Sequence, residues 1–422
     1  MPLRFAHLAD LHLDSPFRGV GALGGRLQTA LTEASLQAWD RAVDICLAEG
    51  VDFVLLAGDV YEQAEAGVRA QLRFLRGLER LSAAGVPVFV VHGNHDPQGG
   101  RWPAVRAWPD GVTVFGSSAV ETVPVERGGR VLALVHGLSY PERHVTENLA
   151  LRFRRLEDPV YQVGLLHASV GDHPEHGRYA PCSLDDLRRS GLDYWALGHV
   201  HTREVLSAAF PCAAYPGNLQ ARHPGEEGPH GFFLVEVDGA GPPRLEFRAA
   251  DLWRFATLRF DLGRDPASSV DEVLSRLQGT AEASRDGRGL IARAELSGAT
   301  ALHPELRRAG AAEDLLRILR EEAPEEIGWD ALEVRTRPEQ DRAARMAAGD
   351  FVADLLRGGE AGRAGAGERL AALIGELRSR AEFAALREVV DWEALGGDAE
   401  RLWREAEQLA VDLLEARAAE GP

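Results

Sequence analysis

Val86-Pro87-Val88-Phe89-Val90-Val91-His92-Gly93-Asn94-His95-Asp96 joins an apolar run to four polar or small residues. A β-branched and aromatic run that stops at a glycine reads as a buried strand feeding a loop at its carboxyl end, which is where open α/β sheets place their chemistry. An amide, an imidazole and a carboxylate in three consecutive positions are costly to bury in an apolar core, so solvent or an ion must satisfy them. Taken alone, Gly93-Asn94-His95-Asp96 fits a turn at least as well as a metal site. The decision rests on whether other strands end in the same way.

They do. Residues 3–8 form a first strand, ending in Ala9-Asp10-Leu11-His12-Leu13-Asp14-Ser15. Leu36, Trp39, Val43, Ile45 and Leu47 put a helix over 33–49, closed by Gly50. A second strand over 51–57 runs into Gly58-Asp59-Val60-Tyr61-Glu62, and an amphipathic helix over 68–84 precedes Gly85. The order β-α-β-α-β, with a polar loop after each strand, predicts an α/β layered domain. Shorter strands follow over 112–115, 119–125 and 130–136, then a helix over 145–156. A strand over 161–167 ends in His167, and Ser183 caps a helix over 184–190. A strand over 194–197 delivers Gly198-His199-Val200-His201, and strands over 231–237 and 243–249 close the domain.

From about Trp253 the character changes. Strands over 255–262, 289–296 and 331–337, with helices over 267–277 and 311–322, suggest a small α+β domain without a chemical motif. Beyond Pro338 the chain is Ala/Leu/Glu/Arg-rich and helical, interrupted by the glycine-rich 357–367. That piece follows no strand, so it reads as a flexible linker rather than a phosphate-binding loop. The expected organisation is 1–252, 253–338 and a helical extension over 339–422.

A chain of 422 residues suggests two or three domains. With 45% hydrophobic and 27% charged residues it has an ordinary globular composition. No apolar segment approaches the roughly 18 to 20 residues of a membrane span, and Met-Pro-Leu-Arg-Phe lacks a signal peptide's apolar region, so a cytoplasmic location is expected. Three cysteines, Cys46, Cys182 and Cys212, make no disulfide framework. All 47 basic residues are arginine, and the net charge is −18, split as −7 over residues 1–250 and −11 beyond. Such acidity argues against coating DNA by bulk electrostatics. A polyanionic substrate would need bound cations and local arginines to offset the field.

The polar residues at strand ends are Asp10 and His12, Asp59, Asn94 with His95 and Asp96, His167, and His199 with His201. One sheet edge could present them all. A single ion does not need so many ligands, whereas two ions do, with one carboxylate bridging. Mixed imidazole, carboxylate and amide donors suit manganese, zinc or iron. Two ions about 3.5 to 4 Å apart would polarise a phosphoryl group and activate water.

Asp10-x-His12, Gly58-Asp59, Gly93-Asn94-His95-Asp96, His167 and Gly198-His199-x-His201 stand in the order of the calcineurin-like metallophosphoesterases, which residues 1–250 resemble. Within that superfamily, Phe5-Ala6-His7-Leu8-Ala9-Asp10-Leu11-His12, Tyr194-Trp195-Ala196-Leu197-Gly198-His199 and Tyr215-Pro216-Gly217-Asn218 are similar to the SbcD/YhaO-like branch of DNA repair exonucleases. The resemblance implies a four-layer α/β/β/α sandwich followed by a small α+β capping domain and a helical C-terminal extension. It implies two divalent ions, most simply manganese. Asp10, His12, Asp59 and His201 would hold one, and Asp59, Asn94, His167 and His199 the other. His95 would protonate the leaving oxygen or stabilise the transition state, with Asp96 orienting His95. The implied reaction is attack of metal-activated hydroxide on a DNA phosphodiester. The implied partners are DNA, an SbcC/YhaN-like coiled-coil ATPase docked on the C-terminal helices, and a second copy of the chain. One position departs: where this branch often has a histidine three residues after the bridging aspartate, this chain has Glu62.

Other readings stay open beside these: a small-molecule or cyclic-nucleotide phosphodiesterase on the same metal core, and a DNA-end-binding scaffold with weak or no turnover. His7, His92 and His136 read as core histidines, and His173, His176, His223 and His230 as exposed or substrate-facing loop residues. Tyr179, Asn218 and Arg222 line the groove or pack loops. Trp392 and Trp403 are core or interface anchors.

Overall fold

The computed structural model describes residues 2–15, 17, 25–62, 67–99, 105, 107–171, 177, 179–239, 241–339, 342–379 and 399–419. His173, His176 and Trp392 lie outside the described residues.

In the first sheet β1 (Leu3–Leu8), β2 (Phe53–Ala57), β3 (Val88–Val91) and β4 (Val112–Val114) run parallel. Antiparallel β11 (Gly231–Val237) and β12 (Arg244–Ala249) extend it, in the order β12-β11-β1-β2-β3-β4. The second sheet contains β5 (Glu121–Arg127), β6 (Arg130–Leu138), β7 (Tyr161–His167), β8 (Tyr194–Gly198), β9 (Glu204–Ser207) and β10 (Cys212–Tyr215), in the order β5-β6-β7-β8-β10-β9. Its central strands β6, β7, β8 and β10 are again parallel.

The period of two along each strand makes the layers. Phe5, Phe53, Leu55, Phe89 and Val163 face the space between the sheets, where Phe5 stacks on Phe53 at 4.8 Å. Ala6, Leu8, Val54 and Leu56 face outward, under the helices α1 (Gly25–Glu49) and α2 (Val68–Ala83). Those helices contribute Trp39, Phe74, Leu78 and Leu81, and full burial of each such side chain stabilises by roughly 1.5–3 kcal/mol. The far side of the second sheet is covered by the short helix Leu184–Ser190, its Ser183 cap in place, and by a 3-10 turn Leu149–Arg152, around Trp195 and Phe153. The architecture is the expected helix, sheet, sheet, helix sandwich.

Several local expectations change. The metal-type residues do not share one sheet edge: β1, β2 and β3 carry four of them, and β7 and β8 carry three. The helix expected over 145–156 is only the turn Leu149–Arg152, because Arg155 is drawn to Asp193 at 2.7 Å and to the Gly191 carbonyl, leaving Phe153 extended. β9 and β10 carry no clear strand signal in the sequence; Cys212-Ala213-Ala214-Tyr215 lacks branched residues and is a strand because it pairs with β8.

Later in the chain β13 (Trp253–Asp261), β14 (Gly289–Thr300) and β15 (Ile327–Pro338) form a three-stranded sheet, with helices over Val270–Ser284 and Ala311–Glu322. By compactness, residues 1–258, 276–294 and 316–331 form one unit and 259–275, 295–315 and 332–422 another. The expected glycine linker is instead helical. Phe351–Gly362 runs through a 3-10 turn, Arg363–Gly365, into Ala366–Ser379. Its Ala, Leu and Arg content favours helix, and two of its glycines serve close packing: Trp403 of the helix Ala399–Ala419 donates to the Gly359 carbonyl at 2.9 Å, and a side chain at Gly362 would strike that indole.

Candidate metal centre

The centre forms where the carboxyl ends of β1, β2 and β3 meet those of β7 and β8. Loops are stitched to one another by backbone hydrogen bonds, Asp10 N–H to Gly58 O at 3.1 Å and His12 N–H to Asp59 O at 3.0 Å. Asp10, His12, Asp59 and His199 all hold positive φ, at 51°, 40°, 50° and 109°. Non-glycine residues adopt positive φ uncommonly, Asp and His more readily than most, and a cluster of four such residues is the kind of backbone that concentrates at functional sites. Gly93 is required by closeness: a Cβ there would overlap the Asp59 carboxylate.

Three buried side chains gather on one side, Asp10, Asp59 and His167. His167 donates Nδ1–H to the Ala57 carbonyl at 2.9 Å, so its Nε2 faces Asn94 Oδ1 at 2.9 Å and Asp59 Oδ2 at 3.4 Å. Beside them lies a second group, Asp10, His12 and His201. The Nε2 atoms of His12 and His201 are 3.1 Å apart, and His12 Nε2 is 3.9 Å from the same Asp59 Oδ2. The Asp59 oxygen therefore stands between the two groups and Asp10 belongs to both, while a third group, His12 with Glu62 and His95, adjoins them. His199 donates its backbone N–H to both Asp10 oxygens at 3.1 Å, while its Nε2 meets the Gly177 carbonyl at 2.9 Å.

His95 is half-buried where its neighbours are buried. Its backbone N–H donates to Asp59 Oδ1 and its Nδ1–H to the Glu62 carbonyl, both at 2.9 Å. The Asp96 carboxylate, expected to orient that imidazole, instead accepts from Gly93 N–H at 2.9 Å and Val60 N–H at 2.8 Å, tying two loops together. Short range explains this: in a tight loop a carboxylate reaches the N–H three residues back more readily than its neighbour's ring.

Three residues around the second group carry a different signal in the sequence, or none. Glu62 Oε2 lies 2.9 Å from His12 Nδ1 and pairs with Arg222. Glu226, in a Gly/Pro-rich loop with no spacing signal, accepts from His201 Nδ1 at 2.8 Å. Arg222 also sets its Nη2 3.3 Å from His201 Nδ1. His7 is a core histidine, held by the Tyr194 hydroxyl and the Leu197 carbonyl; His136 is likewise buried, on Thr122 and Gln162. His230, expected in an exposed loop, is buried against Asn218 and the Glu226 carbonyl.

The donor set fits divalent ions. Burial, then the charge of Asp59, pushes the Asp10 carboxyl well above its usual range, and burial raises Asp59 despite His95 nearby. Burial holds His167 down at about 3 and, with Arg222, lowers His12 well below its usual value. Buried carboxylates that repel one another beside imidazoles that resist protons are stabilised together by cations. The two facing Nε2 atoms say the same. Glu226 claims the His201 Nδ1 proton, which turns that ring's Nε2 lone pair toward His12 Nε2, 3.1 Å away, a pair of facing nitrogens that a cation would bridge.

Residues 3–203 match the calcineurin-like phosphoesterase family, and residues 255–337 the middle domain of metallophosphoesterase YhaO. The chain is 40% identical over 281 residues to the uncharacterized metallophosphoesterase YhaO of Bacillus subtilis (strain 168), covering 65% of this chain and 68% of that one. It is 24% identical to the SbcD component of the nuclease SbcCD from the same bacterium, covering 64% and 78%. To the DNA double-strand break repair protein Mre11 of Methanopyrus kandleri it is 26% identical, covering 58% of this chain and 56% of that relative, so it spans little more than half of it.

Proposed function

Because the chain belongs to the calcineurin-like metallophosphoesterase family, we propose that it hydrolyses DNA phosphodiester bonds with two divalent ions, manganese first among the candidates. The observation that carries the two-ion reading is Asp59 Oδ2, 3.4 Å from His167 Nε2 on one side and 3.9 Å from His12 Nε2 on the other. Asp10, His12, Asp59 and His201 would hold one ion, and Asp59, Asn94, His167 and His199 the other. Such a pair polarises a phosphoryl group, lowers the pKa of bound water and stabilises an in-line displacement.

The chain's own groups do the rest. His95, fixed through Nδ1, keeps Nε2 for a proton bound for the leaving oxygen. Asp96 holds the two loops that set His95 and Asp59. DNA as substrate, and an exonuclease role in repair, are supported by the names of two relatives, a component of a nuclease and a double-strand break repair protein. Among the described residues no helix is long and apolar enough to cross a membrane, and we take the enzyme to work in the cytoplasm. The helical C-terminal region, with exposed Phe351, Leu373 and Leu409, is our candidate docking surface for a coiled-coil ATPase.

The test is manganese-dependent nucleotide release from a linear duplex, wild type beside Asp59→Ala, with bis-p-nitrophenyl phosphate as a small control. Cleavage of both substrates by the wild type alone supports the reading. Cleavage of the control but not the duplex leaves a phosphodiesterase of small substrates. Bound metal without cleavage of either favours a DNA-end-binding scaffold.

A further inference from the structure

Arg222 touches both carboxylates that face the imidazoles of one metal group. Its guanidinium pairs with Glu62 through Nη1, and its backbone N–H donates to Glu226 Oε2 at 2.6 Å. Glu62 in turn lies 2.9 Å from His12 Nδ1, and Glu226 Oε1 lies 2.8 Å from His201 Nδ1. All three side chains are largely enclosed, at 8%, 8% and 14% exposure for Glu62, Glu226 and Arg222. His167, in the neighbouring group, is oriented by a backbone carbonyl instead.

We propose that Glu62, Arg222 and Glu226 form a clamp that positions His12 and His201, so that one of the two ions depends on a charged network which the other does without. This rests on the two-ion reading given above. Glu226 accepts from His201 Nδ1 and Glu62 sets its charge 2.9 Å from His12 Nδ1, so each carboxylate draws a proton to that nitrogen and leaves Nε2 to face the ion, which raises ligand basicity and fixes ring orientation. Arg222 joins the two carboxylates and offsets their charge, without which two buried anions would repel each other beside the ligands. The geometry gives Glu62 a task in its own right. It orients a ligand instead of supplying a proton.

The experiment counts manganese by equilibrium dialysis and elemental analysis, and records electron paramagnetic resonance spectra, for wild type, Glu62→Gln and Arg222→Gln. Thermal melts without metal check folding. Wild type should bind two ions and give an exchange-coupled pair signal. Each variant should hold one ion tightly and the second about 10–100-fold more weakly, the usual effect of removing such an orienting partner, with the coupled signal replaced by that of an isolated ion. The double variant should be little worse than either single one, as expected for residues acting as a unit. If the folded variants bind both ions as wild type does, or lose both equally, the clamp is refuted. If wild type itself binds fewer than two, the two-ion reading fails first.

Discussion

His167 at the end of one sheet donates its Nδ1–H to the carbonyl of Ala57 at the end of the other, at 2.9 Å. A backbone carbonyl only accepts, so this bond fixes the tautomer and turns Nε2 toward Asp59 and Asn94. It also makes the spacing between the sheets part of the centre's geometry. The same carbonyl limits what can stand at the end of β8.

Gly198 lies there, and a Cβ added to it would collide with the Ala57 oxygen. Gly198→Ala should therefore push the sheets apart locally, at a cost of about 1–3 kcal/mol, the usual range for overpacking. Thermal unfolding in chelator would show the lowered midpoint, and metal titration a weakened centre. An unchanged midpoint would mean that the two sheet ends have slack.

These contacts also mark what the chain reveals before folding. The parallel core was legible because strands such as Phe53-Val54-Leu55-Leu56-Ala57 are apolar throughout and end at a glycine and an acid. The residues with metal-ligand chemistry were legible because each stands just past such a strand. The division of those residues between two sheets was not, since nothing local distinguishes the strand before His167 from the strand before Asn94. Nor was the positive φ of Asp10, His12, Asp59 and His199, which is imposed by loops packed against one another. Glu226 escaped notice for a similar reason: it reaches His201 across a loop, and no period or spacing joins positions 201 and 226.

The like charges of Asp10 and Asp59 set function against stability. Both are fully buried, and Asp59 is one of the causes that raise Asp10. Asp59→Asn removes that repulsion, so the metal-free variant should unfold at a temperature no lower than the wild type. It should also gain nothing from manganese, whereas the wild type at a hundredfold excess over Kd gains about 2.7 kcal/mol for each ion it binds. Melting curves with and without metal would settle both halves, and a variant still stabilised by manganese would remove Asp59 from the ligand set.

Loading the centre should release protons. A carboxyl whose pKa in the folded chain lies above its unfolded value adds stability at low pH and loses that contribution as pH climbs through the folded pKa. Asp10 and Asp59 are such groups. Above the ordinary carboxylate range the metal-free centre therefore grows less stable with rising pH, while a cation displaces the same protons and becomes more favourable. Apparent metal affinity should rise with pH toward neutrality. Calorimetric titrations in two buffers of different ionisation enthalpy would count the protons, and a binding heat independent of buffer would contradict the expectation.

His95 offers the sharpest test of chemistry because its Nδ1 is committed. With that nitrogen donating to the Glu62 carbonyl at 2.9 Å, any proton it passes to a substrate must leave from Nε2. Proton donation matters when the leaving oxygen is a poor one, such as the sugar hydroxyl of a nucleotide, and hardly at all for a nitrophenolate, which departs unaided. His95→Gln keeps a polar side chain of similar reach and should leave both ions in place. On duplex DNA its kcat should fall by about 10²–10⁴, the range for losing a general acid. On bis-p-nitrophenyl phosphate the loss should be far smaller. An equal loss on both substrates would show that His95 acts through charge or positioning, since neither of those effects depends on the leaving group's need for a proton.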